Sequence, residues 1–201
     1  LKIRLMLNEG CLRNCPFRIM HYNYLSHRNS IPKRPIDGTF PDHHCIAIYL
    51  RNTAKVFSIP FIPPDALRHY ESFIDYYKLS TRVFSTNRIE LCLKAYINQQ
   101  FNGNLLEILD SPGLSYFEYI DYNALSKSNF FEKMKSCIDN CNRCAYCNTL
   151  LKEATVVNRD FLKKKNKKDE RKAIRIYKNV LQASPNKDDG FIYEKLSKAY
   201  F

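Results

Sequence analysis

The sequence lacks any long apolar run and any recognisable export signal. No window of 18 residues is continuously apolar, which excludes a membrane-spanning helix. Lys2 and Arg4 interrupt the short apolar stretch at the start, and no small-residue cleavage site follows it. We therefore expect a cytoplasmic protein whose eight cysteines are reduced and available to a metal, with disulfides as the alternative.

The sequence also lacks the motifs of common hydrolases and nucleotide-binding proteins. It contains no Ser-His-Asp arrangement, no His-Glu-x-x-His helix and no glycine-rich phosphate loop. The sequence therefore shows no set of catalytic residues for proteolysis by these mechanisms.

The order of predicted elements is typical of an α/β protein. Apolar residues make up 45% of the chain, which is enough for a core. The segments predicted as strands are 1–8, 53–61 and 74–81. Helices are predicted from Asp65 and over 88–101, and alternation of strands with helices predicts a parallel sheet.

Two features predict that the chain is a fragment of a longer protein. Three strands are too few for a barrel or a doubly wound sheet. The chain does not begin with Met, and a strand-like segment begins at residue 1. Residues 11–45, rich in Pro, Asn and Gly, are predicted to form a long loop, and such loops are usually functional.

The cysteines form two groups with metal-ligand spacing. The first is Cys11-x-x-x-Cys15 with Cys45 thirty residues later; the second is Cys137-x-x-x-Cys141-x-x-Cys144-x-x-Cys147. Closely spaced thiolates select zinc, copper(I) or iron–sulfur clusters. Zinc and [4Fe–4S] both fit four thiols, although the tight second run is closer to ferredoxin-like ligation. Cys92 lies on the apolar face of a predicted helix, so we expect it in the core.

The first cysteine pair begins like the radical S-adenosylmethionine motif, Cys-x-x-x-Cys-x-x-Cys. Arg18 occupies the position of the third cysteine, so one iron ligand of that motif is missing. This excludes the radical interpretation.

The C-terminal part is basic and helical in pattern. Residues 163–175 contain eight Lys or Arg and two acids, which gives +6, half of the net charge of +12. Such a segment can bind RNA, and a solvated linker is the alternative. Ala173, Tyr177 and Pro185 are spaced as in a tetratricopeptide-like helical pair, which could recruit a protein. The predicted divisions are 1–115, a cysteine-rich segment over 116–158, and 159–201.

Three stretches resemble the carboxyl half of the collagenase-like peptidase family U-32. They are NEGCLRNCPFRIMHYNYLSH, FIPPDALRHYESFIDYYKLSTR and LKAYINQQFNGNLLEIL, within residues 1–110. The resemblance implies the last strands of a TIM-like (β/α) barrel, with the first half absent. It implies a [4Fe–4S] cluster near the barrel mouth, with ligands among Cys11, Cys15, Cys45 and the later four cysteines. The cysteines that precede the turn in better-known members are not present.

Several other residues are candidates for chemistry near the strand ends. Glu9 follows the first strand, where a general acid or base lies in a barrel, and a loop cap is the alternative. His21 and His27 could be ligands or proton shuttles, or ordinary loop histidines. Arg18 and Arg82 could bind an anionic group, or form surface ion pairs. The remaining candidates are His43 and His44 beside Cys45, and Tyr22 and Tyr24 as stacking residues for RNA.

The cysteines favour an iron–sulfur protein, and the resemblance implies a barrel that performs redox or hydroxylation chemistry on RNA or a small aromatic substrate. The alternatives are a zinc-stapled module that binds nucleic acid or protein, and an assembly protein acting through its terminal helices. The sequence alone leaves open whether the chain is an enzyme.

Overall fold

The structure is a computed structural model that describes residues 1–30, 44–81, 84–110, 115, 118–137, 141 and 143–155. Within these residues it is a mixture of helices and a short sheet. The strands are β1 (Arg4–Met6) and β2 (Tyr76–Lys78). The α-helices are α1 (Arg18–Ser30), α2 (His44–Arg51), α3 (Thr86–Ile97), α4 (Leu105–Ile108), α5 (Tyr122–Lys127), α6 (Phe130–Lys135) and α7 (Tyr146–Ala154). Two 3₁₀ helices lie between α2 and β2, at Thr53–Ser58 and Pro64–His69.

The sheet pairs β1 and β2 in parallel, with Arg4 opposite Tyr76 and Met6 opposite Lys78. The pairing extends beyond the strands, because Leu7 N–H donates to the Lys78 carbonyl at 2.9 Å. Helices in the connection join the two strands, as a parallel arrangement requires. Two of the three segments predicted as strands, 1–8 and 74–81, thus contain paired strands, over three residues of each.

The sheet carries exposed apolar side chains on its outer part. All three residues of β2 are exposed, and Leu1, Ile3 and Phe73 beside the sheet are exposed as well. Parallel sheets in folded proteins are normally covered on both faces. This two-stranded sheet is therefore more open than its type usually is.

The main core forms where α2 and the first 3₁₀ helix meet the later helices. Its largest fully buried side chains include Tyr49, Phe57, Ile108, Ile120 and Tyr122. A smaller cluster of Leu7, Leu67 and Tyr96 lies under the sheet. The end of β1 is thus attached to a buried cluster, which fixes the start of the segment that follows it.

Helix α3 confirms the helix predicted over 88–101, but it begins two residues earlier and ends four residues earlier than predicted. Cys92, Ala95 and Tyr96 are buried at helical spacing, and the helix ends at Ile97 with Asn98 as its C-cap. Gly103, a few residues later, has φ of +152°, and an added Cβ would lie 3.1 Å from the Phe101 ring. Glycine at this position permits both the backbone conformation and the close approach.

The prediction of a strand over 53–61 was wrong. The segment is a 3₁₀ helix at Thr53–Ser58, in which Thr53, Ala54, Val56 and Phe57 are all buried. Burial of consecutive residues does not have the period of two that a half-exposed strand needs. Strand-forming residue types were therefore overridden by packing on all sides.

Two further predictions of local structure were wrong in part. Residues 18–30 form α1, although residues 11–45 were predicted as a loop. The Pro and Gly residues of segment 11–45 all lie outside this helix. The helix predicted from Asp65 is only the 3₁₀ helix Pro64–His69, since Pro63 and Pro64 fix its start. The partial barrel stays a prediction, and residues 159–201 lie outside the described part of the chain.

Candidate functional site

The turn after β1 is held by Asn8, which is fully buried. Its Nδ2 donates to the carbonyls of Ser80 and Ile108, at 3.0 and 3.1 Å. Its Oδ1 accepts from Ser80 N–H at 2.6 Å, and its own carbonyl accepts from Asp110 N–H at 2.8 Å. Asn8 therefore joins the ends of β1 and β2 to the residues after α4, and it gives the next residues a fixed starting point.

Glu9 is 8% exposed and uses both carboxylate oxygens. Oε1 accepts from Gly10 N–H at 3.1 Å and from Cys11 N–H at 3.2 Å. Oε2 forms an ion pair with Arg18 in the first turn of α1. The predicted acid or base is thus a carboxylate that holds its own turn and the start of the following helix, and its catalytic role stays a prediction.

Cys11 lies beside Tyr22 and Arg18. Its Sγ is 3.6 Å from the hydroxyl of Tyr22, which lies in the second turn of α1. Burial raises the pKa of the Cys11 thiol to about 11, and the charge of Glu9 also raises it, whereas Tyr22 and Arg18 act in the opposite direction. Burial and the hydrogen bond with Cys11 raise the pKa of Tyr22 to about 12. In the absence of a metal, Cys11 is a protonated thiol near neutral pH.

Tyr49 connects helix α2 to the turn after β1. This side chain of α2 is 1% exposed, and its hydroxyl donates to the Gly10 carbonyl at 3.2 Å. Burial raises the pKa of Tyr49, and the negative charges of Cys45, Cys11 and Cys15 raise it further, in that order. Tyr49 therefore links the turn that contains Gly10 and Cys11 to α2, on which Cys45 lies one turn earlier.

Cys15 lies in a tight turn. Its N–H donates to the Leu12 carbonyl at 3.3 Å, and its own carbonyl accepts from Arg18 N–H at 3.3 Å. Asn14 in the turn has φ of 55°, a left-handed conformation that asparagine adopts more readily than most residues. The turn therefore links the first thiol group directly to the start of α1.

The second group of cysteines lies between α6 and α7. Cys137 follows α6, Cys147 belongs to the first turn of α7, and Cys141 and Cys144 are exposed between them. Burial raises the pKa of the Cys147 thiol to about 11, and the charges of the other three cysteines raise it further. The four thiols are therefore close enough to influence one another.

Contacts between the two flanking helices hold this second group. The Tyr146 hydroxyl donates to the Ser128 carbonyl at 3.3 Å, and Lys133 Nζ lies 5.8 Å from the Tyr146 ring centroid. Lys55, in the first 3₁₀ helix, lowers the pKa of Cys147 by its positive charge. The second group is thus attached to the main core through α7 and that 3₁₀ helix.

Both groups fit a soft metal by their donor chemistry, since each consists of thiols in close proximity. Across the described ranges, no three His, Cys, Asp or Glu side chains converge tightly enough to coordinate an ion in their present positions. Binding would therefore require the thiols to lose their protons and move together, which couples metal affinity to pH and to folding.

The structure places three of the other predicted residues on helices. His21 and His27 lie on α1, which begins at Arg18, and His44 is the first residue of α2. Arg82 and His43 lie outside the described residues, as do the basic segment 163–175 and the predicted helical pair.

Cys92 is confirmed as a core residue. It is fully buried, and its Sγ donates to the Ile108 carbonyl at 3.7 Å. Burial raises the pKa of this thiol to about 11.

Sequence reasoning missed three residues that shape the site or its support: Asn8, Tyr49 and Arg88. Arg88 donates to three carbonyls around the end of α4 at 2.6 to 2.9 Å and stacks 3.8 Å from the Phe84 ring centroid. A polar residue directly after a strand was a usable signal for Asn8. Nothing in the sequence distinguishes Tyr49 from the other thirteen tyrosines.

Comparison with known proteins gives one curated relative. The chain is 34% identical over 157 residues to a protein named "Uncharacterized protease MJ1657" from Methanocaldococcus jannaschii. The match covers 78% of this chain and 46% of the relative, so the chain spans about half the length of the curated relative it matches. No family model matches the chain, and no solved structure matches it. None of the described helices is long and apolar enough to cross a membrane.

Proposed function

We propose that the chain belongs to an iron–sulfur protein of the U-32 peptidase-like type, with a [4Fe–4S] cluster beyond the end of β1. The observation that carries the proposal is the contact of the Tyr49 hydroxyl with the Gly10 carbonyl, which brings α2 and its Cys45 to the turn that contains Cys11. A further cysteine from the group at 137–147, or from outside the chain, would complete four ligands. When bound, such a cluster supplies electron-transfer chemistry, consistent with hydroxylation of RNA or a small aromatic substrate.

This proposal includes a partial TIM-like barrel. The parallel pairing of β1 with β2 and the exposed side chains of β2 support it, because a parallel sheet is normally covered on both faces. The cysteines follow the carboxyl end of β1, which is the end of barrel strands where active sites lie. The similarity to a longer protein also agrees with a sheet that continues beyond this chain.

Proteolysis with Cys11 as nucleophile is not the function we favour, although the relative's name contains the word protease. A catalytic cysteine has a lowered pKa, whereas burial and Glu9 raise the pKa of Cys11 to about 11. A metal ion reverses this effect, because coordination removes the thiol proton outright. The surroundings of Cys11 therefore suit a ligand better than a free nucleophile.

The test is anaerobic purification of the full chain with iron, sulfide and zinc quantified per chain. About four irons and four sulfides, with broad visible absorption that bleaches on reduction, would support the cluster. Cys11→Ser and Cys15→Ser should each abolish the absorption. Cys92→Ser is the matched control, because its thiol is buried elsewhere and donates to a carbonyl that a hydroxyl can also reach. A colourless protein with stoichiometric zinc would refute the cluster.

A second candidate is a zinc-stapled binding module built on Cys137, Cys141, Cys144 and Cys147. The observation that favours it is their placement: Cys137 follows α6, Cys147 lies in the first turn of α7, and the other three thiols all raise the pKa of Cys147. In this case the basic segment 163–175 would contact RNA and the C-terminal helices would contact a protein. About one zinc per chain that is lost in Cys141→Ser but kept in Cys11→Ser, together with salt-dependent RNA affinity, would support it.

A further inference from the structure

A closed ring of contacts joins four residues: Glu9, Cys11, Arg18 and Tyr22. Glu9 Oε1 accepts from Cys11 N–H, and Cys11 Sγ lies 3.6 Å from the Tyr22 hydroxyl. Tyr22 is hydrogen-bonded to Arg18, and Arg18 closes the ring through its ion pair with Glu9. Each member therefore touches two others, and the position of any one of them depends on the rest.

The ring holds a positive charge beside the Cys11 sulfur. Burial alone would lower the pKa of Arg18, but the hydrogen bond with Tyr22 and the charges of Glu9 and Cys11 outweigh it. An arginine guanidinium keeps its positive charge in proteins, so this charge does not depend on the pH of the experiment. The Arg18 side chain is 35% exposed and that of Glu9 is 10% exposed, so water screens this group only in part.

Helix geometry explains why the ring can form. Arg18 and Tyr22 are four residues apart, so they occupy adjacent turns on one face of α1. The turn from Leu12 to Cys15 ends where α1 begins, which aligns this face with the Cys11 sulfur. Arg18, which occupies the position of the third cysteine in the radical S-adenosylmethionine motif, thus lies close to Cys11, the first cysteine.

We propose that Glu9 and Tyr22 are positioning residues that hold the Arg18 guanidinium beside the Cys11 sulfur, so that a metal cluster bound there has a fixed cation in its surroundings. This inference rests on the proposed function. A reduced cluster carries one more negative charge than an oxidised one, so a nearby cation favours reduction and raises the reduction potential. Charged and hydrogen-bonding groups around the ligands change the reduction potential of a metal site.

The experiment measures the reduction potential of the anaerobically reconstituted full chain, with iron and sulfide content determined on the same samples. Arg18→Met removes the cation and should shift the potential to lower values. Arg18→Lys keeps the charge and should retain most of the wild-type potential, and it also serves if the methionine variant does not fold. Lys94→Met is the matched control, since Lys94 forms an exposed ion pair with Glu90 on α3.

The role of Glu9 is tested by coupling. Glu9→Gln keeps an oxygen that can accept from the two backbone N–H groups but removes the charge that attracts Arg18. If Glu9 positions Arg18, the shift caused by Arg18→Met should be clearly smaller in the Glu9→Gln background than in the wild type. A purely structural role would change the melting temperature without this dependence.

The possible failures are distinguishable. Equal potentials in wild type and Arg18→Met, with normal iron content, would overturn the inference and leave the proposed function intact. A shift of the same size in both Glu9 backgrounds would overturn the positioning by Glu9. A wild-type chain that takes up no iron and sulfide would overturn the proposed function, and the inference with it, before any potential is measured.

Discussion

Asn8→Ala offers a sharp test of how the candidate site is supported. The substitution removes three hydrogen bonds to buried or partly buried backbone groups: two that Nδ2 donates and one that Oδ1 accepts. Each such bond contributes about 1 kcal/mol, and groups left without a partner in the interior cost more. Because Asn8 is fully buried, water cannot easily replace the lost partners. We expect the free energy of unfolding to fall by about 3 kcal/mol.

The assay is urea denaturation followed by far-ultraviolet circular dichroism and tyrosine fluorescence, since the chain contains no Trp. Asn102→Ala is the matched control, because the Asn102 side chain accepts from Asn123 at an exposed position and should cost less than about 0.5 kcal/mol. A loss for Asn8→Ala below about 1 kcal/mol, close to that of the control, would refute the reasoning. It would mean that the strand end is held by its backbone bonds alone.

Three further outcomes follow from other contacts. Arg88→Met removes three hydrogen bonds to carbonyls around the end of α4. It should lower the free energy of unfolding, measured by urea denaturation, by about 2 to 4 kcal/mol. The control Lys94→Met removes only an exposed ion pair and should lower it by less than about 0.5 kcal/mol. Cys92→Leu adds volume to a fully buried position and should cost about 1 to 3 kcal/mol by the same measurement; no loss would show that the site is loosely packed. The folded-state pKa of Cys92 is raised from 9.0 to about 11, so its contribution to the stability of the metal-free protein is complete below pH 9 and is lost as the pH rises toward 11. Urea titrations at these two pH values should show a smaller loss in Cys92→Ala than in wild type, and equal losses would contradict the shift.

The parts of the fold that sequence predicted well are those in which local pattern and burial agree. Helix α3 has a regular apolar face and a capped end, so its position and the burial of Cys92 followed from spacing. The segment at 53–58 failed because strand-forming residues are buried on consecutive positions, which depends on neighbours that are distant in sequence. Helix α1 was missed because turn-forming residues on either side of it dominated the interpretation of a long segment.

In the candidate site, too, the features set by local spacing were predicted and those set by packing of distant segments were not. Spacing alone suggested that Cys11 and Cys15 act together, and that the four cysteines of 137–147 do. The proximity of Cys45 to the first pair could only be offered as plausible, since it depends on how α2 packs against the turn after β1. An ion pair of Arg18 was one of the two sequence expectations, but its partners Glu9 and Tyr22 could not be predicted, because they depend on the register of α1 relative to that turn.

The two thiol groups are attached to a common core by one continuous segment. Tyr49 in α2 contacts Gly10 beside the first group, and Lys55 in the adjoining 3₁₀ helix lowers the pKa of Cys147 in the second. Cys45 and Cys147 both pack against the main cluster. A metal that binds only the folded state stabilises it in proportion to the logarithm of its concentration over its dissociation constant. Metal binding at either group would therefore stabilise the same cluster of buried side chains. Since residues 44–58 connect the groups, loss of metal from one should weaken the packing on which the other depends.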